Sequence, residues 1–481
     1  MSQGSLHREP GRVVGRNAWR EVIPRRTGVR PSDPLKATIV IPAQNSSSEL
    51  EHTLAALACQ DYPLELLEVI VADDRSDPPI QLPALRPPHT RVITVDASGH
   101  GSGLARDAGA RVATGDFILF LDSDIIADRS HVDAHARWHE VLSDAVVLGT
   151  RDFIDPVGLD VSETVEAVRG GDLSRLLPDR ERTPHAWIDR IFEGTEDLNI
   201  DRDDLWRPVV GASVSVRTDF YLETGGFAAF ERWGIVDIEF GYRAFTAGGV
   251  VIPERAAYSL HQGPRTASIR GPELIAARAP LIANHIAHGR YRPSVPGRRW
   301  VVPEIHVTVD SRGVDFRTTQ RTVEDLLVGD ATDLTVAIFL DTDASPEDRG
   351  RVLDYWAADD RVKVVAEPAR TGFPSPYTVA VRAGTRFGPQ SLSMLRRMLM
   401  AWDVGLVTVE LPGETVVEAW TTRALHRSIR AVTIAGHSSI RAAVRELFGE
   451  SLVAGPSLGI GREGGGSERY LRDDLFFPIK V

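Results

Sequence analysis

The chain has 481 residues, 42% of them apolar and 25% charged, with a net charge of −12. That length exceeds a single hydrophobic core and calls for two or three domains, while the acidic balance argues against nucleic acid as the main partner. No apolar run approaches a bilayer span and no charged-then-apolar leader is present, and a single cysteine, Cys59, leaves no internal disulfide, so a reducing, cytoplasmic location is expected.

Residues 1–35 form a basic arm, with Arg8, Arg12, Arg16, Arg20, Arg25, Arg26 and Arg30 against Glu9, Glu21 and Asp33. It is expected to pack along the first domain; peripheral contact with an anionic membrane surface is the other use of so many arginines. Ala37 to Ile41 is a short β-branched run closed by Pro42, which predicts a strand. Ser46-Ser47-Ser48-Glu49 supplies cap chemistry for a helix through about Ala58. Leu67 to Ala72 predicts a second strand ending in Asp73-Asp74, and Arg91 to Val95 a third. A helix follows over Leu104 to Val112. Phe117 to Leu121 is wholly apolar, the pattern of a buried strand, and it ends in Asp122-Ser123-Asp124. This alternation predicts a doubly wound, mostly parallel α/β sheet. Both acidic pairs then fall on one sheet edge, where open α/β sheets bind ligands. Paired hard oxygens there suit Mg²⁺ or Mn²⁺, and such ions hold phosphates. His131, His135 and His139 share one helical face, with a half-exposed surface row as the expected setting.

The second half reads as a faded copy of the first. At an offset of 260, Phe117 to Asp124 meets Tyr377 to Gly384, and the helix from His131 meets Ser391 to Ala401. Glu304 to Val309 mirrors the first strand and Leu334 to Leu340 the second. Where the first half has Asp-Ser-Asp, the second has Arg382-Ala383-Gly384, which cannot hold a divalent ion in the same way. The expected organisation is therefore an arm (1–35), a catalytic domain (36–290), a Pro-, Gly- and Arg-rich linker (291–303), a second, smaller α/β domain of the same type without the acidic site (304–445) and a tail (446–481). Gly459 to Ser467 reads as a mobile stretch and Glu468 to Val481 as a short docking segment.

Together these segments resemble the family 2 glycosyltransferases of the GT-A fold over about residues 36–265. The resemblance opens at Ile39-Val40-Ile41-Pro42-Ala43-Gln44-Asn45, similar to the family's first strand and nucleotide-contacting turn. It implies nucleotide contacts from Pro42 and Asn45. Val71-Ala72-Asp73-Asp74 resembles the second acidic turn, which implies that Asp74 receives the base. Ala105-Arg106-Asp107-Ala108-Gly109 is similar to the family's Ala-Arg-Asn-x-Gly segment and implies that Arg106 faces the donor nucleotide. Asp122-Ser123-Asp124 resembles the metal motif, which implies that Asp122 and Ser123 lie by the donor and that Asp124, with Asp122, meets the ion. Val210-Gly211-Ala212-Ser213 and Gly225-Gly226-Phe227 match acceptor-side elements. In Trp233 to Arg243 the family's Glu-Asp is Val236-Asp237, so the resemblance implies Asp237 as base while acceptor positioning differs. His261 resembles a late histidine that completes the metal site.

The implied function is an inverting, metal-dependent transfer of one sugar from a nucleotide sugar, UDP-linked by the family's habit, to a glycan, peptide or small-molecule acceptor hydroxyl. Two other classes remain open at this point. A sugar nucleotidyltransferase would carry a Gly-rich, Lys/Arg-bearing loop where Ala43 to Ser47 stands. A non-catalytic carbohydrate-binding or assembly protein would not need the intact Asp-Ser-Asp. Trp187, Trp206 and Trp233 are candidates to stack on a sugar, although each suits core packing.

Overall fold

The computed structural model describes residues 11–95, 101–178, 180–230, 235–264, 266–293, 295, 297–341, 344–367, 369–412 and 414–462. The chain divides into two compact units, Met1–Phe245 with Gly249–Pro280, and Thr246–Gly248 with Leu281–Val481. Trp233, the end of the arm before residue 11 and the segment 463–481 lie outside the described residues.

In the first unit the strands are β1 (Ala37–Ala43), β2 (Leu67–Asp73), β3 (His89–Thr94), β4 (Phe117–Leu121), β5 (Ile125–Ala127), β6 (Ala145–Ile154), β7 (Arg182–Pro184), β8 (Ser213–Arg217) and β9 (Val250–Gln262). Helices α1 (Ser47–Leu57), α2 (Ser102–Arg111), α3 (His131–His139), α4 (Val161–Gly170), α5 (Ala186–Glu193), α6 (Thr218–Glu223) and α7 (Val236–Thr246) connect them. The sheet order is β3-β2-β1-β4-β8-β6-β9-β5, with β7 added to β6. β1 runs parallel to β2 and β4, and only β8 reverses between β4 and β6. The apolar runs of β1, β2 and β4 are buried along nearly their whole length, as a layer covered on both faces requires. In α1, Leu50, Leu54 and Leu57 recur on one face and enter that core. The Ser46 hydroxyl stands at the N-cap without making a cap bond, so the cap chemistry read from the sequence is not used there.

The described part of the arm packs along this unit. Val14 and Val22 enter a core with Trp138 and Leu142. The Asn17 amide donates to the carbonyls of Leu198 and Val251, at 2.7 and 2.9 Å, and accepts the Val251 N–H. Arg16 pairs with Asp201, Arg20 with Asp197, and Arg25 with both Asp133 and Glu140. These three arginines are committed to the protein's own carboxylates.

The histidine row is not a surface feature. His131, His135 and His139 are fully buried between α3 and the sheet. His131 Nδ1 lies 3.0 Å from the Tyr258 carbonyl, so it carries the proton and its Nε2 accepts from Ser213 Oγ. Ser213 in turn accepts from His135 Nε2, Ser215 donates to His135 Nδ1, and His139 Nε2 donates to Ser215. One carbonyl thereby fixes the direction of five successive bonds and the tautomer of three neutral rings. Serines at alternate positions of β8 face histidines one turn apart on α3, a match invisible to either segment alone.

The second unit contains β10 (Ile305–Asp310), β11 (Leu334–Phe339), β12 (Val362–Val365), β13 (Tyr377–Arg382), β14 (Thr385–Phe387), β15 (Leu406–Leu411), β16 (Glu414–Thr421), β17 (Glu450–Ala454) and β18 (Ile460–Arg462). Its main sheet runs β12-β11-β10-β13-β16-β15-β17. Strand for strand, this repeats β3-β2-β1-β4-β8-β6-β9, including the reversal at β16 and the return to parallel at β17. β14 pairs with β18 as β5 pairs with the end of β9, and Thr385 faces Arg462 where Ile125 faces His261. Thus Arg462 and Arg382-Ala383-Gly384 stand where the first sheet has His261 and Asp122-Ser123-Asp124. Because β17 and β18 belong to these sheets, the structured part of this unit continues past residue 445. The units differ most between β6 and β8: residues 155–212 fill that connection, whereas β15 and β16 are joined through residues 412–413 alone.

Candidate active site

The parallel register aligns Ala43 with Asp73, so the ends of β1, β2 and β4 share one edge. Asp73 is structural: its carboxylate accepts the backbone N–H groups of Ser76 and Ile80. Asp74 is buried and accepts from Gly101 N–H at 3.0 Å and from the Arg75 guanidinium. Asn45 staples the two turns, taking the Asp77 N–H on its side chain and giving its own N–H to Ser76. Its φ of 51° lies in the left-handed region, which asparagine tolerates better than most side chains. Pro42 sits beside Ala72 in the sheet, and the Ser123 carbonyl is held by Thr53.

The turn after β4 is fixed from three sides. Asp122 N–H donates to the Ala212 carbonyl, and Gln262 N–H to the Asp124 carbonyl. The Asp124 side chain is partly exposed, but its Oδ1 is buried and has no hydrogen-bond partner. Burial, with the charge of Asp122 adding to it, pushes the Asp124 carboxyl up to about 8. Facing it is His261, with Nε2 3.4 Å from Asp124 Oδ2. His261 Nδ1 lies 3.1 Å from the Gln262 carbonyl and carries the proton there, so Nε2 presents a lone pair to the carboxylate. Burial lowers the imidazole pKa and keeps it neutral. Once the Asp124 proton is displaced, two acceptors stand face to face, one of them on a carboxylate whose Oδ1 has no partner, and a cation fits between them. A histidine donating its other N–H to a backbone carbonyl is the usual preparation of a metal ligand. Among the described residues no group of three or more His, Cys, Asp or Glu is close enough to hold an ion alone. Two protein ligands suit an ion that takes its remaining oxygens from a diphosphate.

Arg106, on α2, is 3% exposed and joins two carboxylates. Its Nη2 lies 2.5 Å from Asp122 Oδ1, and its Nη1 lies 2.9 Å from Asp237 Oδ1 and 3.0 Å from Ser102 Oγ. Burial opposes its charge, but the attraction of Asp237 and then of Asp122 outweighs this and raises the guanidinium pKa. The backbone at Gly211 makes room: a Cβ there would come within 2.4 Å of the Arg106 Cζ. Asp237 stands in the first turn of α7. Before it, Val236, which replaces an acidic side chain of the resembled pattern, packs its methyl groups over Gly103 of α2. Glu239 is buried and pairs with Arg243, whose other nitrogens hold the carbonyls of Thr224 and Gly226. Glu239 therefore serves the turn before α7, leaving Asp237 as the carboxylate of that helix beside Asp122.

An aromatic row leads away from this point. His261 packs on Phe153 at 4.8 Å, Phe153 on His185 at 5.2 Å, and His185 on Trp187 at 5.5 Å between centroids. Trp187 donates its indole N–H to His185 and is half-exposed. Trp206 is fully buried against Tyr242 and belongs to the core. Phe153, His185 and the buried Arg151 escaped the sequence reading. The signal available was Arg151-Asp152 interrupting an otherwise apolar strand.

Residues 38–187 match the family model described as Glycosyl transferase family 2. The chain carries a glycosyl transferase family 2 domain. Its candidate metal turn, β1 edge and aromatic row all lie in or directly against that domain. The chain is 28% identical over 267 residues to a hyaluronan synthase of Pasteurella multocida, covering 51% of this chain and 26% of that protein. It is 27% identical over 290 residues to validoxylamine A glucosyltransferase of Streptomyces hygroscopicus subsp. jinggangensis, covering 58% of this chain and 64% of the relative. The chain thus spans between about a fifth and two thirds of the curated relatives it matches. Among solved structures, a mannosyltransferase of Pyrobaculum calidifontis in complex with GDP-Man and Mn²⁺ superposes with a TM-score of 0.35 and 16% identity, covering 56% of this chain and 65% of that one. No helix among the described residues is long and apolar enough to cross a membrane.

Proposed function

We propose that this chain is an inverting glycosyltransferase that moves one sugar from a nucleotide sugar, with UDP as the carrier, to an acceptor hydroxyl, and that it works with Mn²⁺ or Mg²⁺. The observation that carries this reading is the orphaned Asp124 carboxylate facing the His261 lone pair, at the same edge as Asp74 and Asp122. Asp124 and His261 would hold the ion, with Asp122 beside it. When bound, the ion supplies positive charge against the departing diphosphate. Asp74 offers the base an acceptor oxygen at the end of β2, and Pro42 and Asn45 shape the turn against which the nucleoside lies.

The acceptor side follows from charge. A hydroxyl is a weak nucleophile at neutral pH, so a carboxylate must take its proton as it attacks. Asp237 is proposed to take it; its partial exposure and the Arg106 contact behind it support the reading. One base with no second carboxylate assigned as a nucleophile gives a single displacement and inversion at C1. Residues 155–212, with Trp187 at the end of the aromatic row, are proposed to receive the acceptor. Trp187→Ala should raise the acceptor KM about 10-fold with kcat unchanged, the value of a lost ring contact; an unchanged KM removes Trp187 from the acceptor site.

The test of the whole reading is release of free nucleoside diphosphate from a panel of UDP-, GDP- and dTDP-sugars with Mn²⁺ and candidate acceptor glycans. Release that needs Mn²⁺ and stops with EDTA is expected. A protein that binds none of these nucleotides would return the reading to a non-catalytic carbohydrate-binding role.

A further inference from the structure

The exposures of three side chains at the site order them in depth. Asp122 and Asp237 have side chains 30% and 28% exposed, while the Arg106 guanidinium between them is 3% exposed. A molecule entering from solvent meets the two carboxylates and not the arginine. The guanidinium is further enclosed by Gly211, whose lack of a side chain its Cζ requires, and by Phe227, whose ring centroid lies 5.5 Å away. Phe227 itself stacks at 4.5 Å on Phe240 of α7, the helix that bears Asp237. Reaching a diphosphate would oblige Arg106 to leave two charge-assisted bonds and a fitted cavity, and breaking a buried pair is strongly unfavourable.

We infer that Arg106 is a positioning residue rather than a donor ligand: it sets the carboxylate of Asp237 for proton abstraction by tying it to Asp122, the carboxylate on the donor edge. The planar fork is what the task requires, since two nitrogens of one rigid group can hold two carboxylates at a fixed separation. A lysine offers one point charge and cannot fix both. The distance from donor edge to base is thereby set by a single side chain, and a displacement of about 1 Å in such a geometry can cost about 100-fold in rate. This inference rests on the proposed transferase reading for its role, although the contacts stand without it.

The experiment compares wild type, Arg106→Lys, Asp237→Asn and the double variant. UDP binding with Mn²⁺, measured by calorimetry without any sugar acceptor, should change by less than about 3-fold in Arg106→Lys, while kcat for transfer falls by about 100-fold or more. The double variant should be no slower than Asp237→Asn alone, because Arg106 acts through Asp237. Gly211→Ala, which sets a methyl group against the guanidinium, should show the same loss of kcat with UDP binding kept and covers the case in which Arg106→Lys fails to fold. A UDP affinity that falls about 10-fold or more with kcat kept overturns the inference in favour of a donor ligand, and so does additivity in the double variant. Should the wild type transfer no sugar, the transferase reading fails by itself, and crystals of Arg106→Gln then decide the inference. A displaced Asp237 carboxylate supports it, and one left in place with Asp122 undisturbed overturns it.

Discussion

Asp124→Asn should abolish turnover and at the same time make the metal-free protein more stable. The loss follows from the proposed chemistry: removing a group that stabilises developing charge costs on the order of 10²–10³-fold in kcat. The gain in stability follows from burial. In an unfolded chain an aspartate titrates near 3.8, whereas burial raises Asp124 to about 8 in the folded protein. Below pH 3.8 both states hold the proton. Between 3.8 and 8 only the folded state does, so stability declines as pH rises through that window, by at most about 1.4 kcal/mol per unit. At pH 7 the folded protein carries this cost, and an asparagine does not. In EDTA, the thermal midpoint of Asp124→Asn should therefore exceed that of wild type by several degrees at pH 7.5 and match it near pH 4. Adding Mn²⁺ should raise the wild-type midpoint and leave the variant's unmoved. A variant less stable than wild type in EDTA would mean that the Asp124 carboxylate has a protein partner and no vacancy for a cation.

Acid should dismantle the first unit through its buried histidines. Burial lowers His131 to about 4 and holds His135 and His139 well below their ordinary value. For a histidine whose folded pKa is depressed, stability is full above the unfolded value near 6.5 and is lost as pH falls below it. Each ring contributes up to about 1.4 kcal/mol per pH unit, so three together give a slope that approaches about 4 kcal/mol per unit roughly one unit below pH 6.5. A domain with an ordinary reserve of 5–15 kcal/mol cannot sustain that for many units. Tryptophan fluorescence and circular dichroism should show a cooperative transition between pH 6 and 4, steeper than a single group can give, at about these values. His135→Leu should cost about 2–6 kcal/mol at pH 7.5, because the hydroxyls of Ser213 and Ser215 each lose a partner at about 1–3 kcal/mol. Its acid transition should also be shallower by about a third. Equal slopes in wild type and variant would place the acid sensitivity elsewhere.

The ladder also shows why a row of histidines misleads. Spacing at i, i+4 and i+8 reports a common face and says nothing of what covers it. Here the cover is β8, whose serines lie between 76 and 82 residues from the histidines they bond and stand at the matching rise. The surroundings of Arg106 are equally distant in sequence. The local segment offers an arginine that, by the resemblance, faces the donor nucleotide. Its burial beneath Asp122 and Asp237 depends on Gly211, Phe227 and α7, all more than a hundred residues downstream. Trp187 and Trp206 separate in the same way, one half-exposed at the end of an aromatic row and the other sealed in the core.

What the sequence alone determined was whatever a few adjacent residues decide by their own periodicity and chemistry. The apolar runs of β1, β2 and β4 could only be buried strands, their order with the intervening helices required parallel neighbours, and parallel neighbours brought Asp73-Asp74 and Asp122-Ser123-Asp124 to one edge. The repeated strand order of the second unit was legible for the same reason, since a pattern of strand and helix can be read without the acidic residues that accompany it in the first. Only the tertiary structure decided which charges are paired, which rings are neutral and which carboxylate is left facing a lone pair. Those properties belong to the distance and the dielectric between groups from separate elements, and a chain read in one dimension contains neither.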